Sequence, residues 1–162
     1  MNAKDAIRAA LKTNQNMMNM TINDMTDEDL LVRPVPGANH IAWQFGHLIM
    51  AEQSMVKALG GQPPALPAGF AEQHSKQTAA ADGASNFATK AQYLDLFNKT
   101  REAALAAAEK MSDADLDKPV EGSMARIAPT LGVLASFPAV HAYMHMGQFS
   151  VVRRKLGKPV LF

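Results

Sequence analysis

The sequence predicts an all-α protein, a four-helix bundle with one long crossover connection between its second and third helices. Three observations carry that prediction. Four long segments, near 3–24, 40–59, 88–111 and 129–156, place apolar residues at helical spacing. The prolines fall between these segments or at their edges, Pro138 excepted. A short motif also recurs: Met25-Thr-Asp-Glu-Asp-Leu30 follows the first segment and Met111-Ser-Asp-Ala-Asp-Leu116 the third, with Arg33-Pro-Val echoed by Lys118-Pro-Val. The chain therefore reads as two helical hairpins of similar design joined by residues 61–88, which is how a bundle with one long crossover is built. At 162 residues, a single domain over 1–162 with a real core is expected.

The first helix carries Ile7, Leu11, Met17, Met18, Ile22 and Met25 on one stripe, and Asn14 falls among them. A buried amide there fixes helix register or reaches a pocket. Thr26 or Asp27 caps a short turn. Arg33-Pro-Val-Pro-Gly-Ala-Asn39 excludes helix, and Asn39 is placed to cap a second helix from His40 to Leu59, stopped by Gly60-Gly61. That helix has two stripes. Ile41, Phe45, Leu48, Met55 and Leu59 face the core, while His40, Gln44, His47, Ala51 and Ser54 are polar or small. Small side chains around one histidine leave room for a ligand, so this stripe predicts a cavity.

Residues 61–88 read as a long surface connection, a lid, a binding loop or simply mobile chain, with a helical turn near Phe70–His74 and His74 solvated. The third helix packs through Leu94, Phe97, Leu105, Ala108 and Met111. Arg101 beside that line either snorkels from the helix flank or is a buried cation that receives an anionic substrate group. The fourth helix begins near Pro129-Thr130 and ends at Leu156, with Gly157 as its cap and Pro159 beyond. Pro138 inside it removes one hydrogen bond and should bend the helix; otherwise the helix begins near Pro138.

Sixteen Lys+Arg against fifteen Asp+Glu leave a net charge of +1, too little to steer nucleic acid or an anionic membrane. Arg153, Arg154, Lys155 and Lys158 suit a helix C-terminus. The start of the chain is charged and amphipathic rather than a signal peptide, and no apolar run is long enough to span a bilayer. A soluble, cytoplasmic protein is expected. The absence of cysteine leaves histidine and carboxylate as the metal-ligand chemistry.

His141 and His145 lie four residues apart and project from one helix face, with Gln148 about a turn further on. Such a pair also occurs as hydrogen-bonded core histidines. The context favours a metal site, because His47 sits on a polar stripe of another helix and bundles bring facing helices within about 8–10 Å. Three neutral imidazoles leave the charge of a divalent ion uncompensated and a coordination position open to water or a thiol, either of which it would acidify. With no cysteine in the chain, a thiol would be a co-substrate. Gln44 and Gln148, near the ligands, are placed to orient them or to hydrogen-bond a substrate. No carboxylate lies on either histidine stripe, so no protein general base is evident. His40 is expected to be half exposed and outside the ligand set, Trp43 to pack the core, and the methionines to fill it.

Asn39-His-Ile-Ala-Trp-Gln-Phe-Gly-His47-Leu resembles the second-helix signature of the DinB/YfiT-like family. His141-Ala-Tyr-Met-His145-Met-Gly-Gln148, followed by Arg153-Arg154-Lys-Leu-Gly157, is similar to its fourth-helix signature. The resemblance covers nearly the whole chain. It implies a four-helix bundle that binds nickel, zinc or iron through three histidines, here His47, His141 and His145, often as a homodimer. It further implies a thiol S-transferase, an isomerase or a related enzyme using a low-molecular-weight thiol. Pro138 and the 61–88 connection do not map onto the family. The leading expectation is a metal-dependent transferase or hydrolase acting on a small molecule. The alternatives are a non-catalytic metal-binding bundle that serves to dimerise, and a plain bundle with core histidines.

Overall fold

The computed structural model describes residues 1–83, 87–159 and 161, and among these it is all-helical, with no named strand. The four long helices are α1 (Ala3–Asn23), α2 (Ile41–Ala58), α4 (Lys90–Lys110) and α6 (Leu131–Lys155). Single-turn helices α3 (Phe70–Gln73) and α5 (Asp113–Leu116), with 3-10 turns at Asp29–Leu31, Lys76–Thr78 and Gly122–Arg126, occupy the connections.

Side-chain contacts fix the helix directions. Arg8 meets Glu109 and Gln15 meets Asn98, so α1 and α4 run antiparallel. Glu52 meets Arg101, and the backbone at Gly61 lies against Ala107, so α2 and α4 run parallel. Asn14 reaches Ala139 and Thr21 reaches Arg153, making α1 and α6 parallel. Each of α1 and α2 packs against both α4 and α6. The two helices of each half, α1 with α2 and α4 with α6, are therefore diagonal partners, not the adjacent hairpins that the repeat suggested. The parallel α2–α4 pair requires a connection that returns along the whole bundle, and residues 61–88 supply it (residues 84–86 lie outside the described residues).

The repeat has a physical basis. Thr26 and Asp29 exchange reciprocal side chain–backbone hydrogen bonds of 2.9 and 3.2 Å, and Ser112 and Asp115 repeat them at 2.8 and 3.2 Å. Each box turns the chain after a long helix and buries a leucine, Leu30 or Leu116. Thr26 is thus the first cap, while Asp27 accepts from the Lys90 backbone N–H at the start of α4.

The cap of α2 is His40, not Asn39. His40 Nδ1 accepts from the Trp43 N–H at 3.1 Å, and Nε2, 3.2 Å from the Ala81 carbonyl, donates to it. The ring is fully buried rather than half exposed. α6 runs unbroken through Pro138 from a Thr130 cap, so it does not begin at the proline. It ends where Gly157 adopts φ 69°, with the Gly157 and Lys158 N–H groups donating to Arg154 and Arg153 carbonyls. Arg153 does more than complement the helix dipole: it is buried and donates to Thr21 O, Asp24 and Pro159 O.

Arg101 does not snorkel, nor is it a free cation awaiting a substrate. Its guanidinium is fully buried and forks onto Glu52 at 2.6 and 3.0 Å, while Nη1 donates to Leu11 O and Asn14 Oδ1. Asn14 in turn reaches Ala139 O at 3.4 Å, so one polar network joins all four long helices. A buried pair of this kind contributes little net stability, but removing one partner costs about 3–5 kcal/mol.

Candidate metal centre

α2 and α6 run antiparallel side by side, which brings His47 against His141 and His145. The ring centroids are 5.3 Å apart for His47–His141, 5.5 Å for His47–His145 and 4.9 Å for His141–His145. One nitrogen from each ring lies within 4.8 Å of the other two, and no carboxylate belongs to the cluster. Nitrogens sharing one ion at about 2.0–2.1 Å stand roughly 3.0–3.5 Å apart, so small ring rotations close the set. His145 is buried, whereas His47 and His141 are half-buried, and the cluster opens on their side.

Gln44 decides which nitrogen of His145 is free. Its amide N–H donates to the Asn39 carbonyl at 2.7 Å, which turns Oε1 toward His145 Nδ1 at 2.8 Å. Oε1 only accepts, so Nδ1 carries the proton and the Nε2 lone pair is available. This is the usual support for a histidine ligand. Burial, reinforced by the neighbouring imidazoles, pushes the His141 and His145 pKa values down to about 4, and burial also lowers His47. All three rings are neutral at pH 7, the state a metal ligand requires. Gln148, by contrast, is exposed and makes no hydrogen bond to the cluster among the described residues.

Two residues outside the triad shape its walls. Trp43 is buried and stacks on His47, with centroids 5.3 Å apart and planes 3° from parallel. Its Nε1–H donates to Ser75 O at 3.0 Å, tying the crossover to the same ring. His74 is not solvated: it is buried against Gly46, where an added Cβ would lie 2.1 Å from its ring. His74 Nδ1 donates to Phe70 O at 2.7 Å, leaving Nε2 to accept from the Tyr93 hydroxyl at 2.6 Å. Burial pushes the Tyr93 phenol above its usual range, consistent with a retained proton. The space beside Gly46 is therefore filled by the crossover. Aromatic residues in a Pro- and Ala-rich stretch, Phe70 and His74, were the signal that this connection packs.

A helical bundle with three convergent, neutral histidines on two antiparallel helices defines the class. The chain matches the DinB superfamily model over residues 10–149 and belongs to that superfamily. Solved structures share the fold. A conserved protein from Enterococcus faecalis superposes with a TM-score of 0.76 at 18% identity, covering 98% of this chain and 99% of its own. A DinB-like protein from Bacillus cereus gives a TM-score of 0.65 at 18% identity, covering 94% of this chain and 91% of its own. No curated protein matches the chain.

Proposed function

We propose that His47, His141 and His145 hold a divalent ion and that the protein is a metal-dependent enzyme of the thiol S-transferase or hydrolase type, acting on a small molecule in the cytoplasm. Nickel, zinc and iron all suit an imidazole set. The observation that carries the reading is the Gln44–His145 hydrogen bond, which commits a buried Nδ1 to donation and leaves the Nε2 lone pair free on a ring packed against the other two. The core histidines His40 and His74 instead have both ring nitrogens engaged.

When bound, the ion supplies Lewis acidity to whatever water or thiol occupies its open position. The chain's own residues do the rest. Gln44 holds the His145 ring in one tautomer, Trp43 covers one face of His47, and the half-buried edges of His47 and His141 leave an approach for a small molecule. Having no cysteine, the chain draws any thiol from outside as co-substrate.

The test is a screen of untagged protein, loaded in turn with nickel, zinc and iron, against small electrophiles with and without a low-molecular-weight thiol, and against small esters and amides. Turnover that disappears in His47→Ala while the helical circular dichroism is kept supports the assignment. Turnover retained in His47→Ala, or after chelation, overturns it.

A further inference from the structure

On the side of α6 roughly opposite His141 and His145, a cleft of about 250 Å³ runs between α1 and α6. Its walls are mainly apolar: Met17 and Thr21 from α1, then Tyr143, Met146 and Gly147 from α6, with Pro159 beyond. At one end stand Arg153 and Arg154. None of the three clustered histidines lines it, so it is a place apart from the metal centre. Its volume lies below the roughly 300–1,000 Å³ of drug-sized sites and suits a smaller molecule.

Two features of the cleft have no reason in the chain's own packing. Gly147 sits inside a long helix, where glycine is unfavourable, and nothing lies within 4 Å of where its Cβ would stand. No neighbour demands the missing side chain, and its absence leaves bare backbone open to close approach. The second feature is Arg153. The residue is 3% exposed, and its Nε–H is one of two buried side-chain polar atoms without a partner among the described residues. The other, Thr100 Oγ1, belongs to α4, away from the cleft. Nη1 and Nη2 are held by Thr21 O, Asp24 and Pro159 O, so the guanidinium cannot turn to find an acceptor. Burial keeps bulk water from serving as one. Buried N–H groups are almost always paired, and the cleft that Arg153 lines is where an acceptor can enter.

The polar groups at that end select the ligand. The Thr21 and Ser150 hydroxyls donate to their own helices, to Met17 O at 2.8 Å and Gly147 O at 2.7 Å, so their protons are spent. Asp24 neutralises Arg153, but Arg154 is exposed and has no ion pair among the described residues. The end of the cleft therefore offers N–H donors and one uncompensated positive charge, and the rest offers apolar surface. We propose that the cleft binds a small carboxylate with an apolar body. Its head bridges Arg154 and the Arg153 Nε–H, and its body lies along Met17, Tyr143 and Met146 over the bare backbone of Gly147. A carboxylate has two acceptor oxygens and can meet both arginines at once. Methionine side chains adapt to the body and let the head reach an N–H that water does not wet.

Hexanoate is the probe, and hexanamide its uncharged match. Both are titrated into the full chain carrying His141→Ala/His145→Ala, which keeps a metal-bound carboxylate out of the readout, and amide NMR shifts are followed. The expected result is saturable hexanoate binding with a Kd of about 0.1–5 mM. The shifts should fall on α1 around Met17 and Thr21 and on α6 from Tyr143 to Arg154, and hexanamide should bind about tenfold more weakly or worse. Gly147→Leu fills the cleft without meeting a neighbour, so hexanoate binding should be lost while helical dichroism is kept. Arg154→Gln should weaken binding about three- to tenfold. No saturable shift up to about 20 mM, equal binding of hexanamide, or an unchanged affinity in Gly147→Leu would each overturn the proposal. So would a Gly147→Leu change in sedimentation with no hexanoate bound by the unfilled cleft, which would mean that the cleft seats another chain.

Discussion

Gly46→Ala sets two opposed effects against each other. In a helix interior the change is worth about 1 kcal/mol in favour of alanine. Here the new methyl would lie 2.1–2.4 Å from Cδ2, Nε2 and Cγ of His74, far inside van der Waals contact. The ring is not a free end that swings away, because it bonds Phe70 O at 2.7 Å and the Tyr93 hydroxyl at 2.6 Å. Displacing it loses both hydrogen bonds at about 1 kcal/mol each and adds about 1–3 kcal/mol of overpacking. The net is a loss of about 2–4 kcal/mol, or roughly 5–15 °C in Tm for a chain of this size. Thermal melts followed by circular dichroism read it directly. In a His74→Ala background the same Gly46→Ala change should become neutral or stabilising. A Tm unchanged or raised by Gly46→Ala alone would refute the placement of the crossover on α2.

Three further outcomes follow from the same structure. Gln44→Leu should weaken metal binding about 10- to 100-fold in a chelator competition, since it removes the acceptor that fixes His145; affinity within twofold of the parent would contradict that role. Arg101→Ala should cost about 3–5 kcal/mol in urea denaturation by stranding Glu52, whereas Arg101→Met with Glu52→Leu should cost much less. Equal losses would mean that the ion pair is not what the single variant removes. The folded pKa values of His141 and His145 are depressed to about 4, below the unfolded value of about 6.5. The unfolded chain therefore binds more protons in that window, and the metal-free protein loses stability as pH falls from about 6.5 to about 4. The His141→Ala/His145→Ala variant should show a shallower slope, and an identical slope would remove these rings as the cause.

The helices were legible in the sequence because of their period and end signals: apolar residues three and four apart, Pro129-Thr130 at the last start, Gly60 and Gly157 at the ends. The histidine cluster was legible for the same reason, since His141 and His145 share a face by arithmetic and His47 needed only α2 and α6 to be neighbours. What stayed hidden depended on contacts between segments distant in sequence. Nothing local marks Glu52 as the partner of Arg101, because an acidic residue in the last two turns of a helix ordinarily faces water. His40 read as a half-exposed helix start and His74 as a solvated loop residue, yet each has both ring nitrogens engaged, one bond of each to a carbonyl. Gly46 lies off the stripe where a cavity was expected, and only the return path of the crossover shows what fills the space beside it. Gln44 lay between these cases: its position on the stripe was evident, but it is the Asn39 carbonyl that turns its Oε1 onto His145.

The central claim is that three histidines converge to hold one divalent ion. Elemental analysis of untagged parent protein and of His141→Ala/His145→Ala, both after incubation with nickel, zinc or iron and removal of free ion, tests it most directly. The account predicts about one ion per chain in the parent and none retained by the variant, with helical content unchanged. A parent that retains no metal, or a variant that retains as much as the parent, would contradict it.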